Sequence, residues 1–207
     1  MANYCWNNIE VSPSGMSELD TKNFKKFLGK IVFMEDELGE EGDIFEYFLG
    51  KRPEDVDSVA YYGCRPIGDV SDFLSQCEVD NLDDTFFCAG FDSCWSPPEG
   101  FCQMLSEMYQ VSVKIVYDES GNDFSGHSQY TNGETDFKES WAYQEGLYNM
   151  DKDWFWNEVE STIEYCSEEE MDVDEFLEDY GFLSQTDLKE LKEKYVDALN
   201  KILTENK

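Results

Sequence analysis

Apolar and polar residues alternate over residues 4–11, with Cys5, Asn7, Ile9 and Val11 on one side and Tyr4, Trp6, Asn8 and Glu10 on the other. A period of two is strand spacing. Pro13, Ser14 and Gly15 end the strand, and Ser17 opens a helical pattern carrying Leu19, Phe24, Phe27 and Leu28 on one face. Lys22, Lys25, Lys26 and Lys30 lie elsewhere on that helix, where they are expected to answer neighbouring carboxylates. Residues 35–43 read as a charged loop broken by Gly39 and Gly42, and Ile44, Phe45, Phe48 and Leu49 as a short helix stopped by Gly50 and Pro53. Residues 56–64 read as a strand or an extended approach to the turn at Arg65-Pro66, while 69–77 fit helix and strand equally.

The organising stretch is 84–111. It reads as a strand over 85–91, a turn at Trp95, and a helix that opens at Pro97 or Pro98 and runs to Tyr109. A proline at the first helical position needs no amide partner, and the Trp is expected to anchor the core where sheet and helix meet. Val111, Val113, Ile115 and Tyr117 then alternate with polar neighbours, 118–123 is a turn, 124–131 a strand, and Asn132-Gly133 a hairpin signal into a strand over 134–141. Strand, helix, extended segment, strand, helix, strand, strand is an α+β order. It predicts a split βαβ sandwich, an antiparallel sheet with helices on one face.

Beyond Asn149 the spacing is helical. Trp154, Phe155, Val159, Ile163 and Cys166 form one stripe, Phe176, Leu177, Tyr180, Phe182 and Leu183 a second, and Leu188, Leu191, Tyr195, Leu199 and Leu203 a third. Ser184 followed by Asp187 has the form of an N-cap with an acidic third residue. The expected organisation is therefore an α+β domain over 1–150 and an acidic extension of three helices over 151–207.

Charge changes the picture most. The chain of 207 residues has 47 Asp and Glu against 15 Lys and Arg, a formal net of -32. Repulsion of that size opposes compaction and is offset here by a 15% aromatic content. Bare nucleic acid and anionic membrane are excluded as partners, because counterion release and lipid attraction both need protein cations. A basic partner is favoured. Seven cysteines without a CxxC pair, and an N-terminus without a basic start or long apolar run, point to reduced thiols and a cytoplasmic setting.

Candidate chemistry is sparse, and the sequence calls for no catalytic residue, metal or cofactor. His127 is the one histidine and shows no orienting partner. Cys88, Cys94 and Cys102 are spaced too widely for thiolate ligation and read as small apolar residues. The stretch from Asp118 lacks the turn glycine and closing glutamate of a calcium loop, with Asp123 and Gln129 in their places.

The motifs ANYCWNNIEVS, YYGCRPIGDVSDF and FDSCWSPPEGFCQML together resemble the YubB-like proteins, a phage- and plasmid-encoded family with a ferredoxin-like domain. Asn3, Cys5 and Asn7 match its first motif. Tyr62 and Gly63 match the second, where Cys64 and Arg65 replace its Thr and Lys. Phe91, Asp92, Trp95, Ser96, Pro97 and Pro98 match the third. The resemblance covers residues 1–135 and implies a fold and a mobile-element origin, with no iron–sulfur cluster and no assigned reaction.

Between Asp151 and Gly181 stand 13 acidic residues and one basic, Lys152. Glu158, Glu160, Glu164, Glu168, Glu169, Glu170, Asp172, Asp174, Glu175, Glu178 and Asp179 fall on the predicted helices or their junction, with Trp154 and Trp156 among them. Carboxylates spaced at about 1.5 Å rise per residue approach the charge density of a duplex backbone, and aromatics amid polar residues serve as interface anchors. The expectation is a non-enzymatic protein that binds a basic, nucleic-acid-handling host protein, as a nucleic-acid mimic against a host defence system. Two alternatives remain open: charge that serves solubility alone in an accessory protein, and a hydrolase using carboxylates around the Trp95 turn. Pairing of two copies through the open sheet face is also compatible with the pattern.

Overall fold

The computed structural model describes residues 4–38, 43–66, 86–168 and 172–205. It divides into two compact units, residues 1–140 and 141–207. The first holds β1 (Tyr4–Pro13), α1 (Glu18–Val32), α2 (Met34–Leu38), α3 (Ile44–Leu49), α4 (Ser58–Tyr62), β2 (Arg65–Pro66), β3 (Phe87–Cys94), α5 (Glu99–Tyr109), β4 (Val111–Glu119), β5 (Phe124–Thr131) and β6 (Glu134–Trp141). The sheet order is β2-β3-β1-β4-β5-β6. The central strand β1 is antiparallel to both β3 and β4, so β3 and β4 run the same way and α5 joins them across β1. With β2 antiparallel to β3, the run β4-β1-β3-β2 is the ferredoxin-like order, extended by the β5–β6 hairpin. The α+β fold read from the sequence is the fold observed.

Alternation decides which face is buried. Cys5, Asn7, Ile9 and Val11 of β1, Phe87, Ala89 and Phe91 of β3, and Val111, Val113, Ile115 and Tyr117 of β4 are all buried. Phe24, Phe27, Leu28 and Ile31 of α1, Ile44, Phe45 and Phe48 of α3, and Phe101, Cys102 and Leu105 of α5 belong to the same core. Rings dominate it: Phe45 stacks on Phe101 at 4.0 Å, and Phe27 meets Phe87 and Tyr109 edge-on at 5.3 and 5.6 Å. Each such pair adds about 0.5–1.5 kcal/mol beyond its buried area.

Several local expectations are corrected. Residues 58–62 are a helix rather than a strand, because Asp57 accepts the Val59 N–H as N-cap and Gly63 closes the turn at φ 88°. The acidic loop expected over 35–43 begins as helix α2, and 39–42 and 69–77 lie outside the described residues. Strand β3 extends beyond Phe91 to Cys94, since Asp92, Ser93 and Cys94 pair with Trp6, Cys5 and Tyr4. Asp118 and Glu119 still belong to β4; the turn is the short 3-10 segment Ser120–Asn122. The hairpin at Asn132 and Gly133 is present, with φ 53° and 87°. Of the α1 lysines, Lys30 pairs with Glu37 at 3.7 Å and lies over the Tyr47 ring.

The second unit holds α6 (Tyr143–Met150) and then, over the range of the expected extension, the three helices α7 (Lys152–Glu168), α8 (Val173–Glu178) and α9 (Gln185–Glu205). Its core contains Leu147, Phe155, Val159, Ile163, Cys166, Phe176, Tyr180, Leu183, Leu191 and Tyr195. Leu147 of α6 belongs to this core, so the compact unit begins ten residues before the expected boundary at 150/151. Phe176 stacks on Tyr195 at 4.2 Å, fixing α8 on α9. Ser184 and Asp187 cap α9 as anticipated: the Ser184 hydroxyl donates to the Asp187 carboxylate at 2.5 Å, and the Asp187 N–H donates back to Ser184 Oγ at 3.2 Å.

Candidate functional site

The acidic surface is built on α7 and α8. On α7 the i, i+4, i+8 spacing of Phe155, Val159 and Ile163 turns that stripe inward and leaves Glu158 and Glu160 exposed. On α8, Phe176 is buried while Asp174, Glu175 and Glu178 are exposed, as are the flanking Asp172 and Asp179. Asp172 also starts its helix, since its carboxylate accepts the N–H groups of Asp174 and Glu175 as the N-cap of α8. Glu164 and Glu168 lie on α7, and Glu169 and Glu170 lie outside the described residues.

Two of these acids are answered by α9. Lys194 pairs with Glu160 at 3.2 Å and Lys192 with Asp174 at 3.4 Å. Sequence reasoning misses these pairs, because nothing in the spacing of Lys192 and Lys194 says which helix they face. The two tryptophans separate in role. Trp154 is 36% exposed. Trp156 is half-buried, edge-on to Phe155 at 5.2 Å and covered by the Lys194 ammonium at 4.8 Å. Glu158, Glu175, Glu178 and Asp179 are the exposed acids of the set, with Trp154 exposed on the same helix as Glu158.

The Trp-Ser-Pro-Pro turn is a joint in the first unit, tied by hydrogen bonds to β1 and to the end of α4. Asn7 Nδ2 donates to the carbonyls of Cys5 and Phe91 and to Ser93 Oγ. The Ser93 hydroxyl donates to the Ser96 carbonyl, and the Ser96 hydroxyl to the Gly63 carbonyl at 2.6 Å. At Gly100 an added Cβ would meet the Tyr62 carbonyl carbon at 2.8 Å, so the glycine lets α4 and α5 touch. Trp95 itself is not the expected core anchor. It is 50% exposed with φ 73°, because β3 continues to Cys94 and the chain must reverse at the next residue.

Burial disfavours the thiolate at three cysteines around this joint. Burial pushes Cys5 and Cys64 up to about 12, and Cys102 is raised well above its ordinary value for the same reason. Cys5, Cys64, Cys94, Cys102 and Cys166 are free thiols. Among the described residues no cluster of three or more His, Cys, Asp or Glu is placed to hold a metal ion. His127 sits 3.2 Å from the exposed Glu139, with its ring against Phe137. Glu99 has an internal role, accepting from the Ser128 hydroxyl at 2.8 Å and pairing with Lys138.

Two carboxylates are held below the usual acid range, Asp20 by the Ser17 hydroxyl and Asp187 by the Ser184 hydroxyl. Both close helix N-termini. No helix among the described residues is long and apolar enough to cross a membrane.

The fold has a counterpart among known families. Residues 76–171 match the model of a family described as the ferredoxin-like domain in Api92-like protein. That description names a fold and no reaction. The matched range starts well inside the stretch that carries the YubB-like motifs and ends in the segment after α7. No curated protein matches the chain. Among solved structures the chain is similar to protein Api92 from Yersinia pseudotuberculosis at 10% identity and a TM-score of 0.35, over 69% of this chain and 99% of that one. A likeness that low carries no argument of its own.

Proposed function

We propose that this is a non-enzymatic protein of phage or plasmid type, related to the YubB-like proteins, that acts in the host cytoplasm. Its acidic helical surface binds a basic, nucleic-acid-handling host protein and excludes that protein's nucleic acid, countering a defence system. The observation that carries the reading is the acidic run between Asp151 and Gly181, 13 acids against one base, whose described helices α7 and α8 bury their apolar stripes in their own core. Helices anchored in this way hold carboxylates at fixed spacing, and a cationic groove recognises spacing as well as charge. Ordinary solubility needs a net charge of magnitude about 2–8 in a small domain, far short of -32.

The test is capture of host proteins on the immobilised full chain at rising salt, followed by elution with duplex DNA. The reading expects basic nucleic-acid-binding proteins that release with salt and are displaced by the duplex. Captured proteins that are not basic, or that ignore both treatments, would sink it.

A further inference from the structure

The strand order ends in β6, so no strand among the described residues pairs with its outer edge. Over Glu134–Trp141 the side chains are exposed on both faces, with only Phe137 and Trp141 half-buried. An edge strand of eight residues spans about 27 Å and leaves every second N–H and C=O without a ladder partner. Sheet proteins commonly guard such an edge with proline, a bulge, brevity or a run of lysine. This strand has no Pro or Gly, and its one lysine, Lys138, is drawn to Glu99. What it presents is acid: Glu134, Asp136 and Glu139.

We infer that β6 is a strand-addition site for an extended Lys- or Arg-rich segment of a partner protein. Main-chain hydrogen bonds along the open edge supply the affinity, and the three carboxylates select the charge of the incoming strand. Asp136 is already oriented, because the Thr131 hydroxyl and the Gln129 amide donate to it at 2.6 and 3.0 Å. A second copy of this chain is the poorer occupant, since each carries -32 and repels the other at long range. The site lies in the sheet unit and stands independently of the acidic helical surface.

The experiment follows amide exchange in the full-length protein with a ten-residue peptide of alternating lysine and valine, and with the same peptide N-methylated at every residue. Strand addition expects at least roughly tenfold slowing at alternate β6 amides with the first peptide. It also expects loss of that protection with the methylated one, whose charge is identical but whose backbone cannot donate. The triple reversal Glu175→Lys, Glu178→Lys, Asp179→Lys should leave the β6 result unchanged, which separates this site from the helical surface. Equal effects of the two peptides, no slowing in β6, or slowing that tracks protein concentration without peptide would each overturn the inference.

Discussion

The two units carry similar acidity but place it differently. Residues 1–140 hold 28 Asp and Glu against 9 Lys and Arg, and residues 141–207 hold 19 against 6. In the sheet unit many acids serve the fold: Asp20, Asp43 and Asp57 cap α1, α3 and α4, Glu119 caps the 3-10 turn, and Glu99 is held by Ser128 and Lys138. In the helical unit Asp172 and Asp187 cap helices in the same way, yet Glu158, Glu175, Glu178 and Asp179 stay exposed on helices that also carry an exposed aromatic, Trp154. Net charge alone therefore selects no surface. Arrangement does.

The largest effect expected from breaking either unit is in its aromatic heart. Phe101→Ala removes a fully buried ring stacked on Phe45 and should cost about 3–5 kcal/mol, read as lost amide protection in the sheet unit. Phe155→Ala, also fully buried, should do the same in the helical unit and disorder the carboxylate spacing. Next is the joint. Gly100→Ala forces a Cβ against the Tyr62 backbone and should cost about 1–3 kcal/mol in a denaturant titration.

Smaller, and shared by both units, is the acid response of the Ser-x-x-Asp caps. Asp187 is held below its ordinary 3.8 by Ser184 and then Tyr148, and Asp20 by the hydroxyl and N–H of Ser17. A folded value below the unfolded one means the contribution is complete above the unfolded value and lost as pH falls through the folded one. Fraying at the starts of α9 and α1 should set in as pH falls below the ordinary carboxylate value of 3.8, and Asp187→Asn should remove that response from α9 alone. Smallest of all is Lys194→Met. It breaks an exposed pair with Glu160 worth less than about 1 kcal/mol, and should strengthen capture of basic proteins by freeing that carboxylate.

How much of this is legible in the chain depends on the range of the interaction. The alternation at Cys5, Asn7, Ile9 and Val11 names the buried face of β1, and Asn132-Gly133 names the β5–β6 turn, because both signals are local. Residues 58–62 read as extended because Val59, Ala60, Tyr61 and Tyr62 form an unbroken run without period, and the decisive cap at Asp57 lies outside it. Helix α6 escapes a pattern reading because Trp141 and Tyr143 continue the strand's aromatic spacing into the helix. Residue type alone points Trp95 inward; where β3 ends is set by pairing with Tyr4, far away in sequence. The acidic set is visible as a run, whereas its partial neutralisation by Lys192 and Lys194 comes only from tertiary packing.

The most direct measurement compares two triple reversals of equal charge in the full chain. One carries Glu175→Lys, Glu178→Lys and Asp179→Lys; the other carries Glu10→Lys, Glu54→Lys and Asp55→Lys, all exposed positions of the sheet unit. Each changes the net charge by the same amount. At physiological salt, capture of basic host proteins should fall at least roughly tenfold for the first and change little for the second. Equal losses in the two would show that diffuse charge does the binding, and would contradict a recognition surface on α7 and α8.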